Sequence, residues 1–91
     1  MFNKLKQIKD LRDQAKTMQN ALAKESVSVE RGGVKVEMNG NLEVTSLTIA
    51  DGTSKESTEK NVKEAINEAV KKTQKLMAAK LQEMGGFPGL M

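Results

Sequence analysis

The stretch SVSVERGGVKVEMNGNLEVTSLTI, residues 26–49, alternates apolar with polar side chains, and this alternation decides the fold. A period of two is typical of β-strands that bury one face. Gly32-Gly33 suits a two-residue hairpin turn, which sets Val29 opposite Val36 and Val27 opposite Met38. The segment therefore predicts a three-stranded antiparallel meander with one apolar face.

The second turn of the meander lies around Asn39-Gly40. A two-residue turn there would place apolar and polar residues on the same face of the sheet. A three-residue loop, Asn39-Gly40-Asn41, avoids this conflict and sets Met38 opposite Leu42. The apolar alternation then slips by one residue, which predicts a β-bulge near Thr45-Ser46.

Amphipathic helical patterns flank the meander on both sides, over residues 1–24 and residues 54–84. Their apolar side chains recur every three or four residues, the spacing of a packed helix face. Thr53 and Glu56 fit a capping box at the start of the second helix, and Gly85-Gly86 ends it. Residues 85–91 are expected to form a flexible tail. The residues predicted to lie in the core or a dimer contact are Leu5, Ile8, Leu11, Met18, Leu22, Val62, Ile66, Val70 and Met77.

The two helices are too long for the sheet. At 1.5 Å per residue they would extend roughly 33 and 45 Å, whereas strands of about six residues extend some 20 Å. The apolar faces of the overhanging parts need a cover, and a second copy of the chain is the expected one. A 91-residue chain without cysteine also lacks the disulfides that stabilise other small domains. We therefore expect a single α+β domain, residues 1–91, that forms a homodimer.

The basic residues are unevenly distributed. The net charge is +3, but residues 1–24 carry six basic and two acidic side chains, and residues 69–82 carry four lysines and no acid. If the helices pack antiparallel, the N-terminal half of the first lies beside the C-terminal half of the second, and the clusters join. Such a surface suits the phosphates of double-stranded DNA. The predicted DNA-binding residues are Lys4, Lys6, Lys9, Arg12, Lys16, Lys71, Lys72, Lys75 and Lys80.

The sequence argues against an enzyme. It contains no His and no Cys, which removes the commonest general base, metal ligands and thiol nucleophile. No glycine-rich phosphate-binding motif occurs, and no cofactor, metal or small-molecule substrate is expected. The N-terminal stretch MFNKLKQIKDLRDQ has no continuous apolar run of the kind that signal peptides and membrane spans require. We therefore expect a cytoplasmic protein without a membrane partner.

Several motifs together resemble the YbaB/EbfC family of bacterial nucleoid-associated proteins. They are MFNKLKQ at the start, Met18-Gln19, VKVEMNGN, SLTIAD, NVKEAINEAVKK and FPGL near the end. The resemblance covers nearly the whole chain. It implies a tweezer-like homodimer, with a helix, three strands and a helix in each protomer, that binds DNA and helps to organise the nucleoid. The lysines named above come from the charge distribution and not from a family motif.

A second interpretation is a protein-binding clamp. Prefoldin-like subunits also place a small β-hairpin region between two helices, and exposed Met and Leu side chains at helix ends could bind unfolded chains. Prefoldin helices are much longer than those predicted here, and basic clusters are not needed for that function. A third interpretation is a structural assembly factor whose lysines serve only to keep it in solution.

Overall fold

Two helices and a three-stranded sheet make up the part of the chain that the computed structural model describes, residues 2–83, with side chains described for residues 6–83. Helix α1 spans Phe2–Ala23 and helix α2 spans Lys55–Glu83; strands β1, β2 and β3 span Ser26–Arg31, Val34–Asn39 and Val44–Ile49. The sheet is antiparallel in the order β1-β2-β3. The predicted α+β arrangement is confirmed. The predicted helix stop and the tail of residues 85–91 lie outside the described residues.

The first hairpin follows the predicted register. Val29 pairs with Val36 and Val27 pairs with Met38, on either side of Gly32-Gly33. Both glycines have positive φ, 53° and 86°. Left-handed backbone at two successive positions is readily adopted only by glycine, which explains why the pair stands at this turn.

The second hairpin differs from the prediction by one residue. The Asn39 N–H donates to the Glu43 carbonyl at 2.9 Å, so the loop is Gly40-Asn41-Leu42, and Leu42 has a φ of 64°. Asn39 Oδ1 stabilises this loop by accepting hydrogen bonds from the backbone N–H groups of Asn41 and Glu43. The partner of Met38 is consequently Val44, and the pairing of Met38 with Leu42 was wrong.

The predicted β-bulge is confirmed. The β2–β3 register shifts between Glu37 and Met38, whose partners are Ser46 and Val44, so Thr45 has no partner in the ladder. The Thr45 hydroxyl donates to the Glu37 carbonyl at 3.2 Å. Because of the bulge, Leu47 and Ile49 return to the same face of the sheet as Val44.

The core lies between α2 and one face of the first two strands. Four sheet residues are buried there, Val29, Val34, Val36 and Met38. The helix contributes its small residues Ala65, Ala69 and Thr73, all with no exposed surface. Of the helix residues predicted for the core, Val62, Ile66 and Val70 are only partly buried and pack at its margin. Small side chains face the sheet because they let the helix approach it closely.

The N-cap of helix α2 lies one residue later than predicted. The Ser54 hydroxyl accepts the Ser57 N–H at 3.1 Å, which makes Ser54 the N-cap. The predicted capping box of Thr53 and Glu56 was wrong, because the Thr53 hydroxyl is occupied by a 2.8 Å hydrogen bond with the Thr58 hydroxyl. Glu56 still lies in the first turn, where a carboxylate is favoured by the helix dipole.

The β2–β3 loop anchors the C-terminal end of α1. The Gly40 N–H donates to the Leu22 carbonyl at 2.9 Å, and the Asn41 side-chain amide donates to the Gln19 carbonyl at 3.0 Å. These bonds satisfy carbonyls that a helix end leaves without partners. A Cβ added to Gly40 would lie 2.6 Å from the Leu22 oxygen, so glycine is required by this close approach. The loop therefore fixes where α1 leaves the sheet.

The molecule is strongly elongated. Its radius of gyration is 17.8 Å, whereas a compact chain of this length would have about 12 Å. Side chains of residues 6–13 in α1 are all exposed, so no other described element covers this part of the helix. We call residues 6–17 of α1 the arm.

Candidate nucleic-acid interface

The basic side chains of the arm share one side of α1. Lys9, Arg12 and Lys16 follow one another at steps of three and four residues, and all three are exposed. Met18 and Leu22, by contrast, are buried. Lys9 lies roughly half a turn around the helix from Met18. The cations therefore face away from the rest of the protomer. Lys6 is also exposed, whereas the side chain of Lys4 lies outside the described residues.

A second cationic group lies on α2 beyond the sheet contact. Thr73 is the last buried residue of the helix, and Lys71, Lys72 and Lys75 around it are exposed. Among the side chains that the structure describes, no carboxylate lies within 4.0 Å of these three ammonium groups or of the cations of the arm. Both groups are consequently available to an anionic partner.

Lys80 differs from the other predicted DNA-binding residues. Its ammonium group lies 3.1 Å from a Glu25 carboxylate oxygen, and only 25% of its side chain is exposed. It also lies 4.0 Å from Glu83. Lys80 therefore holds the start of the sheet against α2, and a phosphate would have to displace Glu25 to reach it.

The acidic side chains near the middle of α2 are engaged by the sheet. Arg31 at the end of β1 lies 3.1 Å from Glu64 and 3.4 Å from Glu68. This double ion pair joins β1 to α2 and partly neutralises Glu64 and Glu68, which line the same shallow pocket as Lys71. Sequence reasoning missed the cluster, because its members are more than thirty positions apart and no spacing rule connects them.

Among the residues whose side chains are described, the two helices meet at their C-terminal ends. Met18 and Leu22 of α1 face Met77, Ala78 and Leu81 of α2 across an apolar notch of about 190 Å³. Ile8 and Leu11, predicted for the core or the dimer contact, are exposed in the protomer, and the side chain of Leu5 lies outside the described residues. The expectation that the N-terminal half of α1 lies beside α2 was wrong. The arm instead does not pack on α2, because the Gly40 loop anchors only the last turn of α1.

An apolar surface remains open on the sheet. Val44, Leu47 and Ile49 of β3 share the face of the buried residues of β2, yet each is 45–47% exposed. Helix α2 lies over β1 and β2 and leaves β3 uncovered. Ile66 is partly buried and lies about 200° around the helix from Glu68. Because Glu68 points to β1, Ile66 lies on the flank toward β3. We call this surface the β3 face.

No helix among residues 2–83 combines the length and the apolar character that crossing a membrane requires. In the same part of the chain, no three acidic side chains are grouped closely enough to bind a metal ion.

The fold and the exposed cations define a small α+β protein with a basic helical arm, and a clustered basic surface of this kind is typical of nucleic-acid-binding proteins. Residues 1–87 match the profile of the YbaB/EbfC DNA-binding family, and the chain belongs to that family. A curated relative is 34% identical over 94 residues, which cover 97% of this chain and 83% of the relative. That relative, from Syntrophobacter fumaroxidans (strain DSM 10017 / MPOB), is named "Nucleoid-associated protein". The resemblance drawn from the sequence is confirmed.

Proposed function

We propose that this protein is a homodimeric nucleoid-associated protein that binds double-stranded DNA through the phosphate backbone, and that it contributes to nucleoid organisation and gene regulation. It acts at the nucleoid of the bacterial cytoplasm, without a cofactor or a small-molecule substrate. The observation that carries the proposal is the exposed row of cations on the arm, together with Lys71, Lys72 and Lys75, none of which has a carboxylate partner among the described side chains.

Phosphate contact suits these side chains better than base recognition. Lys9 to Lys16 cover about 10 Å along the helix, a length over which duplex DNA carries roughly six phosphate charges. All of the proposed contacts except Arg12 are lysines, which act as mobile point charges, and Arg12 alone could bind guanine in a bidentate manner. The chain has no Trp and no Tyr, so a stacking surface for single-stranded bases is not available from them.

Support for the homodimer comes from the β3 face. Full burial of an aliphatic side chain contributes about 1.5–3 kcal/mol, so covering the exposed half of Val44, Leu47 and Ile49 contributes roughly 1 kcal/mol each. In a two-fold symmetric contact every residue is used twice, which raises the total to about 6 kcal/mol before Ile66 and Val70 are included. A second copy offers a surface of the same shape and chemistry. In such a dimer two arms present their cations to the same duplex.

The binding surface is tested by charge reversal with a matched control. Lys71, Lys72 and Lys75 are changed together to Glu, and the control carries the same change at Lys55, Lys60 and Lys63. The control lysines are also exposed, lie on the same helix and produce the same change in net charge. We expect the first variant to lose binding to random duplex in a gel-shift titration and the control to retain most of it.

Two results would count against this site. Equal losses in the two triple variants would mean that net charge alone governs binding. Unchanged binding in the Lys71, Lys72 and Lys75 variant would remove α2 from the interface. Circular dichroism and light scattering on each variant separate a loss of DNA contact from a loss of fold or dimer.

A protein-binding clamp is the second candidate function, and the exposed Ile8 and Leu11 of the arm favour it. A clamp would hold unfolded chains through apolar contact. It would then suppress aggregation of a denatured client equally well at low and high salt, and an Ile8→Ser, Leu11→Ser variant would lose this effect. DNA binding, in contrast, weakens steeply as salt increases.

A further inference from the structure

Helix α2 carries one carboxylate within reach of its exposed lysines. Glu68 precedes Lys71 by three residues and Lys72 by four. Side chains at these spacings are neighbours on a helix surface, and a glutamate four residues before a lysine is in the favoured orientation for an ion pair. Residues 69–82 contain no acid. Glu68 is therefore the acid on this helix that is best placed to compete with a phosphate for the two lysines.

In the structure, Glu68 is paired with the sheet instead. Its Oε2 lies 3.4 Å from Nε of Arg31, at the end of β1. Lys71 and Lys72 are exposed, and no carboxylate among the described side chains lies within 4.0 Å of either ammonium group. Arg31 thus binds the carboxylate that the helical spacing would otherwise offer to the lysines.

The guanidinium group of Arg31 is held at two points. Its Nη1 donates to Oε2 of Glu64 at 3.1 Å, one helical turn before Glu68. A planar guanidinium has five N–H donors and can bind two carboxylates at once, whereas the ammonium group of a lysine is a compact point charge. Exposed ion pairs are individually weak. The double contact is what favours Arg31 over a lysine as the partner of Glu68.

We propose that Arg31 is a positioning residue for DNA binding: by holding Glu68, it keeps Lys71 and Lys72 unpaired and available to phosphates. This inference rests on the proposed function and adds a residue of the sheet to it. Without Arg31, Glu68 pairs with Lys72 or Lys71 on its own helix, and a phosphate has to displace the carboxylate before it can bind.

The first test is Arg31→Gln in the full chain, measured as affinity for a random duplex. A pair at this helical spacing changes an equilibrium about twofold, and the two copies in a dimer give about fourfold. The carboxylates that Arg31 no longer neutralises also repel phosphates, so we expect a loss of about four- to tenfold at low salt. Arg31→Lys keeps the positive charge and should retain most of the affinity.

A second change distinguishes pairing with Glu68 from a general effect of charge. Glu68→Gln added to Arg31→Gln should restore the affinity to within about twofold of that of the original chain. Glu64→Gln added to Arg31→Gln is the matched control, because it makes the same change in charge and also removes a partner of Arg31. Glu64 lies seven residues before Lys71, about 10 Å along the helix, and cannot pair with it in the same way. The control should therefore stay weak.

Three results would overturn the proposal. Full affinity in Arg31→Gln would mean that Glu68 does not compete for the lysines. Equal recovery with Glu64→Gln and Glu68→Gln would mean that Arg31 acts through the net charge of the surface. A loss that neither change restores would mean that Arg31 contacts DNA itself or supports the fold, and circular dichroism separates these two.

A measurement without DNA separates this inference from the proposed function. Lysines of the folded chain are labelled with acetic anhydride, and the rates are read by mass spectrometry of peptides, with Lys55 as the internal reference. In Arg31→Gln, Lys71 and Lys72 should react about twofold more slowly, because a carboxylate now holds an ammonium group, and Glu68→Gln should restore the rate. Unchanged labelling would refute the inference even if DNA binds. Failure of the original chain to bind duplex would instead refute the proposed function, while the labelling still tests whether Arg31 holds Glu68.

Discussion

Replacing Leu47 by alanine should weaken the proposed homodimer while leaving the protomer folded. Leu47 is 47% exposed and lies in β3 opposite the fully buried Val36. The full burial of a leucine side chain contributes about 1.5–3 kcal/mol, so its exposed half contributes roughly 0.7–1.4 kcal/mol when a partner covers it. Two-fold symmetry doubles this value to about 1.4–2.8 kcal/mol, which corresponds to a ten- to hundredfold increase in the dissociation constant. Alanine keeps the Cβ, so the lower part of this range is expected.

The assay is sedimentation velocity over a series of protein concentrations, with Thr48→Ala as the control. Thr48 is the next residue of the same strand and points to the opposite face, where its partner is Lys35. Thr48→Ala therefore introduces an alanine into the same strand without altering the β3 face. If Leu47→Ala dimerises as tightly as Thr48→Ala, the β3 face is not the dimer contact and the energetic argument fails.

Three further changes test the packing of the protomer by urea unfolding at fixed protein concentration. Gly40→Ala should destabilise it by about 1–3 kcal/mol, since the new methyl group would overlap the Leu22 carbonyl; an unaltered midpoint would mean that the loop does not anchor α1. Thr73→Val should stabilise it by about 1 kcal/mol, because the buried hydroxyl has no partner among the described residues; destabilisation would reveal a hydrogen bond to that hydroxyl. Ser54→Ala should lower the free energy of unfolding by about 1 kcal/mol because it removes the N-cap, whereas Thr53→Ala leaves that cap in place.

The first hairpin could be predicted because two independent signals agree. The alternation of Val27 and Val29 with polar residues fixes which face is buried, and Gly32-Gly33 fixes the turn. The second loop was misplaced because a side chain decides it. Asn39 Oδ1 holds two backbone N–H groups, and no apolar pattern contains that information.

The candidate site shows the same division between local and distant contacts. The spacing of Lys9, Arg12 and Lys16 predicts that they share one side of α1, and their exposure in the structure agrees with this. The pairing of Lys80 with Glu25 could not be predicted, because the two residues are 55 positions apart. They meet because the connection between α1 and β1 lies against the C-terminal part of α2.

The position of α1 was the largest error of prediction. Its apolar spacing indicates a face that packs, and it gave equal weight to Ile8, Leu11, Met18 and Leu22. In the protomer only the last two are buried. What selects them is the anchor at Gly40, a glycine whose contact with the Leu22 carbonyl leaves no trace in hydrophobic periodicity. A sequence pattern of this kind shows which side of a helix packs, but not how much of its length.

The central claim is that dimers bind duplex DNA by neutralising phosphates with the exposed cations of the arm and of α2. The most direct test is the affinity for a random duplex, measured by fluorescence anisotropy from about 50 to 200 mM salt. If about six of the cations of a dimer make contact, the logarithm of the affinity should fall against the logarithm of the salt concentration with a slope near −5, a loss of roughly a thousandfold over this range. A slope close to zero, or no binding even at the lowest salt, would contradict the account.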